Sequence, residues 1–230
     1  NPKANEPFFL YLSFMNPHDI CYGAGFDPRF PNKLRPHQIA ATQKYIELRK
    51  TLSDEEYRSQ VPPVPGNTEP NGAYAEIKEI GSGSRNWTEE QWAFYRWMYC
   101  RLVEDVEQQI GRVLAALEES GLADNTIVVF TSDHGEMNQS HGLVFKSQLL
   151  EEATRTPLII SGPKVKKNIV DSINLTCGID LVPTICDLAG IPIPENLSGK
   201  SLKPILTGET NKIDRNYIII ESSSGYQIND

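Results

Sequence analysis

The sequence predicts an α/β fold with a mostly parallel central sheet flanked by helices, and three observations carry that expectation. Residues 125–132 (NTIVVFTS) hold Ile127, Val128, Val129 and Phe130 as an unbroken apolar run, the pattern of a strand buried on both faces. Residues 88–121 repeat apolar side chains at every third and fourth position, which is the spacing of one helical face. Between 125–132 and a second apolar strand at 156–161 (TPLIIS) lies a polar excursion, at the sheet edge where open α/β folds place their ligands.

In chain order, the first apolar run is 7–14 (PFFLYLSF), expected to be a buried strand. With no initiating Met and no signal sequence before it, the amino-terminal part of the fold is expected to lie outside this chain. A length of 230 residues at 39% hydrophobic content supports a real core. A net charge of -8 without any lysine or arginine cluster argues against a nucleic-acid partner, and no apolar run reaches membrane-spanning length. Pro17 cannot continue a central strand, so His18 stands at the strand's end; a Pro-His pair alone is a loop. From 21 to 85 the chain is expected to be irregular apart from a helix over 38–52, since Pro62, Pro63, Pro65 and Pro70 forbid a regular element over 61–72. Tyr22, Arg29, Arg35 and Tyr74 would suit a sugar, with packing or solvated surface as the alternative reading.

Thr88 with Gln91 forms a capping-box pattern that starts the long helix, and Gly121 ends it. Leu102, Val103, Val106, Ile110, Val113, Leu114 and Leu117 mark its expected buried face, and the aromatic beginning (Trp92, Phe94, Tyr95, Trp97, Tyr99) is expected in the core. Cys21, Cys100, Cys177 and Cys186 lack paired spacing and are expected as buried free thiols. Sequons at Asn86, Asn138, Asn174 and Asn196 are read as chance.

Asp133 and His134 follow the 125–132 strand, and Gly135 is expected to break it. Asp-His-Gly at a strand end is by itself a turn, because Asp tolerates bridge and left-handed conformations. Adding His141 and Lys146 changes that reading: four groups able to bind a metal or an oxyanion then share one excursion between two strands. Beyond it, Lys164, Lys166 and Lys167 mark an exposed turn, 170–176 reads as extended, and a helix covers 180–190 with Pro183 in its first turn. Residues 216–220 (NYIII) are expected to form a strand, and 221–230 closes no element, which reads as truncation.

The segment 131–163 resembles the second half of the sulfatase family, in the alkaline phosphatase superfamily. The resemblance rests on Ser132-Asp133-His134-Gly135-Glu136, His141-Gly142, Lys146, Glu151-Glu152, Thr154-Arg155-Thr156-Pro157 and Gly162-Pro163. The family's strand followed by Pro-His is matched by FFLYLSF and His18, and its long helix by 106–114, with Glu107 in place of Asp. This resemblance implies a partial alkaline-phosphatase-like fold. Residues 1–210 would be a catalytic domain lacking its amino-terminal part, 19–87 a substrate-side insertion, and 211–230 the start of a truncated carboxyl-terminal subdomain.

The resemblance also implies roles. Asp133 and His134 would bind a divalent metal, Ca²⁺ first, with Mg²⁺ or Mn²⁺ as alternatives; nitrogen at His134 by itself suits Mn²⁺ or Zn²⁺ better than Ca²⁺. Lys146 would neutralise sulfate charge, His18 would act at the leaving oxygen, and His141 would touch substrate. The formylglycine nucleophile of a Cys/Ser-x-Pro-x-Arg motif surrounds none of the four cysteines, so it is expected outside this chain, and the fragment alone is expected to be inactive. The implied activity is hydrolysis of a sulfate ester or N-sulfate on a sugar or glycosaminoglycan, in a periplasmic, secreted or lysosomal setting. Asn16-Pro17-His18-Asp19-Ile20-Cys21 is faintly similar to the sulfamidases, which cleave N-sulfoglucosamine. The alternatives are a phosphodiesterase or phosphonate monoester hydrolase of the same superfamily, and a non-catalytic binding module.

Overall fold

Thr88 opens the longest helix by the reciprocal cap its sequence promises: its backbone N–H donates to Gln91 Oε1 at 2.8 Å, and the Gln91 N–H donates back to Thr88 Oγ1 at 3.3 Å. The computed structural model describes residues 6–23, 36–69, 84–146 and 148–221. Its helices are α1 (Ile20–Gly23), α2 (Pro36–Thr51), α3 (Asp54–Gln60), α4 (Glu89–Glu119), α5 (Glu151–Thr154), α6 (Leu181–Ala189) and α7 (Lys203–Thr207), and its strands are β1 (Val128–Thr131) and β2 (Leu158–Ser161). The chain divides into two compact units, Asn1–Val113 with Asn138–Phe145, and Leu114–Met137 with Lys146–Asp230.

The first unit is built on the amino-terminal half of α4. Trp92, Tyr95, Trp97, Met98 and Leu102 are buried together with Ile20, Tyr45, Tyr57 and Val144, so the aromatic start of the helix is core, as expected. Tyr57 meets Trp97 edge to face, with ring centroids 5.7 Å apart. Tyr57 belongs to α3, a helix the sequence reading left as irregular chain although Ser53 and Glu56 form a full capping box. Burial pushes the Tyr57 phenol up to about 12, with the Glu90 carboxylate adding to the rise. The carboxyl half of α4 departs from the expected buried face: Val103 and Leu114 are exposed. Periodicity marks which side of a helix is apolar, and neighbouring elements decide how much of that side is covered.

The second unit holds the described sheet. β1 and β2 pair antiparallel, with Thr131 opposite Leu158 and Val128 opposite Ser161. Among the described residues this antiparallel pair is all of the sheet, a small part of the α/β arrangement expected. Because Thr131 and Leu158 are register partners, the excursion leaves and re-enters at the same end of the sheet, and α5 never crosses its length as a parallel connection requires. The strands are also only half-buried, and Phe130 and Ile159 are exposed, against the expectation of burial on both faces. Residues 7–15 form no strand and expose Phe9 and Tyr11 at 73% and 78%; residues 216–220 likewise form none. An apolar run becomes a strand only where a ladder partner accepts its N–H and C=O groups, and the described residues supply none at either place.

Around α6 and α7 the second unit is organised by one buried ion pair. Asp180, fully buried, receives two bonds of 2.6 Å from the Arg215 guanidinium and further backbone N–H bonds from Cys177 and Lys200. Burial opposes ionisation, but these four donors outweigh it and hold the carboxyl below its usual range. All four cysteines are free, as expected, but only half-buried where burial was expected.

Candidate active site

β1 ends at Thr131, one residue before Ser132, so the strand terminates ahead of the polar motif and Gly135 is not what breaks it. Gly135 serves a close approach. Its N–H donates to Ala153 O at 2.8 Å, and a Cβ there would lie 1.9 Å from Glu152 O, so only glycine lets this loop rest on α5.

That contact positions Asp133 and His134. Ser132 Oγ donates to the His134 carbonyl at 2.8 Å, and the His134 N–H donates to Asp133 Oδ1 at 2.9 Å, closing a tight local turn. His134 Nδ1 lies 2.9 Å from the Gly135 carbonyl. A carbonyl only accepts, so Nδ1 carries a proton; the neutral ring then keeps a lone pair on Nε2, and the charged ring a second N–H. Nε2 stands 3.6 Å from Asp133 Oδ2, on side chains that are 40% and 83% exposed. Partial burial pushes the Asp133 carboxyl up, but the His134 charge and the hydrogen bonds of the turn outweigh it and hold it below its usual range.

The donor pair tests well against a metal. An ionised oxygen and an imidazole nitrogen facing one another are bridged either by the ring's own proton or by a cation, and 3.6 Å is short enough for both to lie about 2.0–2.5 Å from one ion. A third or fourth ligand is a different matter: among the described residues no three His, Cys, Asp or Glu side chains converge as a metal cluster.

Lys146, in the same unit, is half-buried and follows Phe145, which adopts a left-handed φ of 70°. The other two expected residues belong to the first unit. His18 is exposed in the turn after the cis Asn16-Pro17 bond; its N–H donates to Met15 O at 3.0 Å and its carbonyl accepts from Cys21 at 3.0 Å. His141 sits at φ 55°, ψ 22°, and its loop is tied to three distant segments. The His141 N–H donates to Asn67 O at 2.7 Å, Ser84 Oγ donates to Gly142 O at 3.2 Å, and buried Arg96 donates to Gln139 Oε1. Gly142, at φ 65°, faces Thr68 O so closely that a Cβ would sit 3.3 Å from it. Thus the structure brings Asp133 and His134 into contact, and it places His18 and His141 in the other compact unit.

Sequence reasoning missed Asn67, Ser84 and Arg96 as supports, and Gln139 as the residue that receives Arg96. The three supports are ordinary polar residues in their own neighbourhoods, and only the fold joins them to a loop 43 to 74 positions away. Arg29, Arg35 and Tyr74, and the side chain of Tyr22, lie outside the described residues.

The Sulfatase family model matches residues 1–191. The chain belongs to the sulfatase family. This sulfatase chain is 31% identical to a Delta 4,5-hexuronate-2-O-sulfatase of Bacteroides thetaiotaomicron, over 99% of its own length and 45% of that relative's. The solved structure of a 2-O GAG sulfatase superimposes with a TM-score of 0.70 at 30% identity, covering 89% of this chain and 42% of that one. A phosphonate monoester hydrolase from Silicibacter pomeroyi matches at 34% identity and TM-score 0.55, over 64% of this chain and 32% of that one. The sulfatase neighbours carry the alkaline-phosphatase-like α/β fold, which is the class expected from the sequence. The chain therefore spans less than half the length of each of these relatives. The family generally uses a metal ion and a formylglycine, and among the described residues no helix is long and apolar enough to cross a membrane.

Proposed function

We propose that this chain is the carboxyl-side part of a sulfuric ester hydrolase acting on a sulfated sugar or glycosaminoglycan. The observation that carries the reading is the Asp133 Oδ2 and His134 Nε2 pair, two electron-pair donors 3.6 Å apart at the end of β1. Asp133 and His134 would hold a divalent cation, Ca²⁺ by preference with Mg²⁺ or Mn²⁺ as alternatives. Bound there, the ion supplies positive charge to the sulfate oxygens. Lys146 adds a second positive charge, which matters because the ester's negative charge is what repels a nucleophile. His18 donates a proton to the leaving oxygen, and His141 contacts the substrate. The formylglycine and the remaining metal ligands are assigned to the part of the whole protein outside this chain, and residues 1–210, with 19–87 as a substrate-side insertion, to its catalytic domain. Such glycans are met in periplasmic, secreted or lysosomal compartments, and we assign the protein there.

The relatives' names bear on the substrate. A hexuronate-2-O-sulfatase and a 2-O GAG sulfatase both act on a 2-O-sulfated sugar, which makes a 2-O-sulfated uronate disaccharide the first substrate to offer. The phosphonate monoester hydrolase neighbour favours a second reading, hydrolysis of phosphorus esters at the same groups. The full-length protein should be assayed against the sulfated disaccharide, a phosphodiester and a phosphonate monoester. Faster release of sulfate supports the sulfatase reading, whereas turnover of the phosphorus esters alone replaces it with the second.

A further inference from the structure

Three bonds fix the backbone around His134. Its own N–H donates to Asp133 Oδ1 at 2.9 Å, its carbonyl accepts from Ser132 Oγ at 2.8 Å, and the next N–H, on Gly135, donates to Ala153 O at 2.8 Å. The Ser132 hydroxyl has one proton to give. That proton goes to the carbonyl, because Asp133 Oδ1 stands farther off at 3.3 Å, beyond the usual O–H···O range. The peptide between His134 and Gly135 is therefore held at both ends, through its oxygen by Ser132 and through its nitrogen by Ala153. The ring follows this backbone, since His134 Nδ1 bonds the Gly135 carbonyl at 2.9 Å and that bond sets where Nε2 stands.

We propose that Ser132 is a positioning residue for the metal-binding pair, acting through the His134 carbonyl to hold Nε2 beside Asp133 Oδ2. Folding by itself asks little of this bond: Ser132 is exposed, and water can satisfy the carbonyl in its place. What the hydroxyl adds is direction. Two donors 3.6 Å apart share one ion only while both keep their orientation. The same turn orients Asp133, for Oδ1 is engaged by the His134 N–H and Oδ2 is the oxygen that faces the imidazole. This inference rests on the reading of Asp133 and His134 as a metal pair; the hold of Ser132 on the turn stands apart from it.

The test uses the full-length protein as wild type, Ser132→Ala, Ser132→Thr and Asp133→Asn, with Mn²⁺ as the probe because it accepts both oxygen and nitrogen. By calorimetry, Mn²⁺ affinity is expected to fall about three- to tenfold in Ser132→Ala, the size of one lost hydrogen bond, and to return in Ser132→Thr, which keeps the hydroxyl. Metal-free Ser132→Ala should unfold within about 2 °C of wild type, a split between affinity and stability that a merely structural role does not give. Amide exchange at His134 should quicken in the metal-free Ser132→Ala protein. Unchanged exchange overturns the proposal, and so does an equal loss of affinity in Ser132→Ala and Ser132→Thr. If Asp133→Asn weakens Mn²⁺ binding and Ser132→Ala does not, the metal pair stands and the positioning role fails. If wild type binds no Mn²⁺ and exchange still quickens, the metal reading fails and the hold of Ser132 on His134 stands.

Discussion

The two halves of the excursion between β1 and β2 are ordered by opposite means. Asp133, His134 and Gly135 are set by contacts among near neighbours plus one approach to α5, and their functional side chains remain exposed. The loop of His141 is set by Asn67, Ser84 and Arg96, all remote in sequence. A cation needs open donors in a fixed local geometry, and a short turn provides that without burial. A histidine in a left-handed conformation cannot rely on its neighbours, so the fold must hold it from outside.

Substitutions can break or sharpen this contrast. A control outside both loops sets the scale: Arg215→Ala leaves the Asp180 carboxylate buried without its partner and should cost about 3–5 kcal/mol in chemical denaturation. Because the folded pKa of Asp180 is depressed, the pair's contribution is complete above about pH 4, the unfolded value, and is lost as pH falls through the folded value. Wild-type and variant stabilities should therefore converge in acid. Next in size, Gly135→Ala drives a methyl into the Glu152 carbonyl and should cost about 3 kcal/mol, with loss of metal binding, because the first loop has a single seat on α5. Arg96→Met removes the donor to buried Gln139 and should cost about 2 kcal/mol, while His141 changes its NMR environment. Ser84→Ala takes away one of several ties to the second loop and should cost about 1 kcal/mol. Equal losses for Gly135→Ala and Ser84→Ala would erase the distinction between the loops.

The same contrast explains what was legible beforehand. Asp133 and His134 could be read because an acidic residue and a histidine next to one another at a strand end are fixed by rules acting over a few residues. The start of α4 and its aromatic core were legible for the same reason: a capping box and helical spacing are local. The antiparallel β1–β2 pairing was not legible, since an apolar run fixes a preference for burial and leaves open the direction of the neighbouring strand. Residues 7–15 show the limit most plainly, for their strand-like composition stands exposed and unpaired with any strand among the described residues. Asn67 was invisible because Gly66-Asn67 has the composition of any turn, and its partner lies 74 residues away.

The most direct measurement of the central claim is divalent-metal binding by the full-length protein, followed by calorimetry, for wild type and Asp133→Asn. Asp133 is exposed and, among the described residues, tied only to its own turn, so the variant should unfold within about 0.5 kcal/mol of wild type. The account predicts that affinity for Ca²⁺, Mg²⁺ or Mn²⁺ falls at least about tenfold, with sulfate-ester hydrolysis falling alongside it. Unchanged metal affinity in a folded Asp133→Asn protein would contradict it.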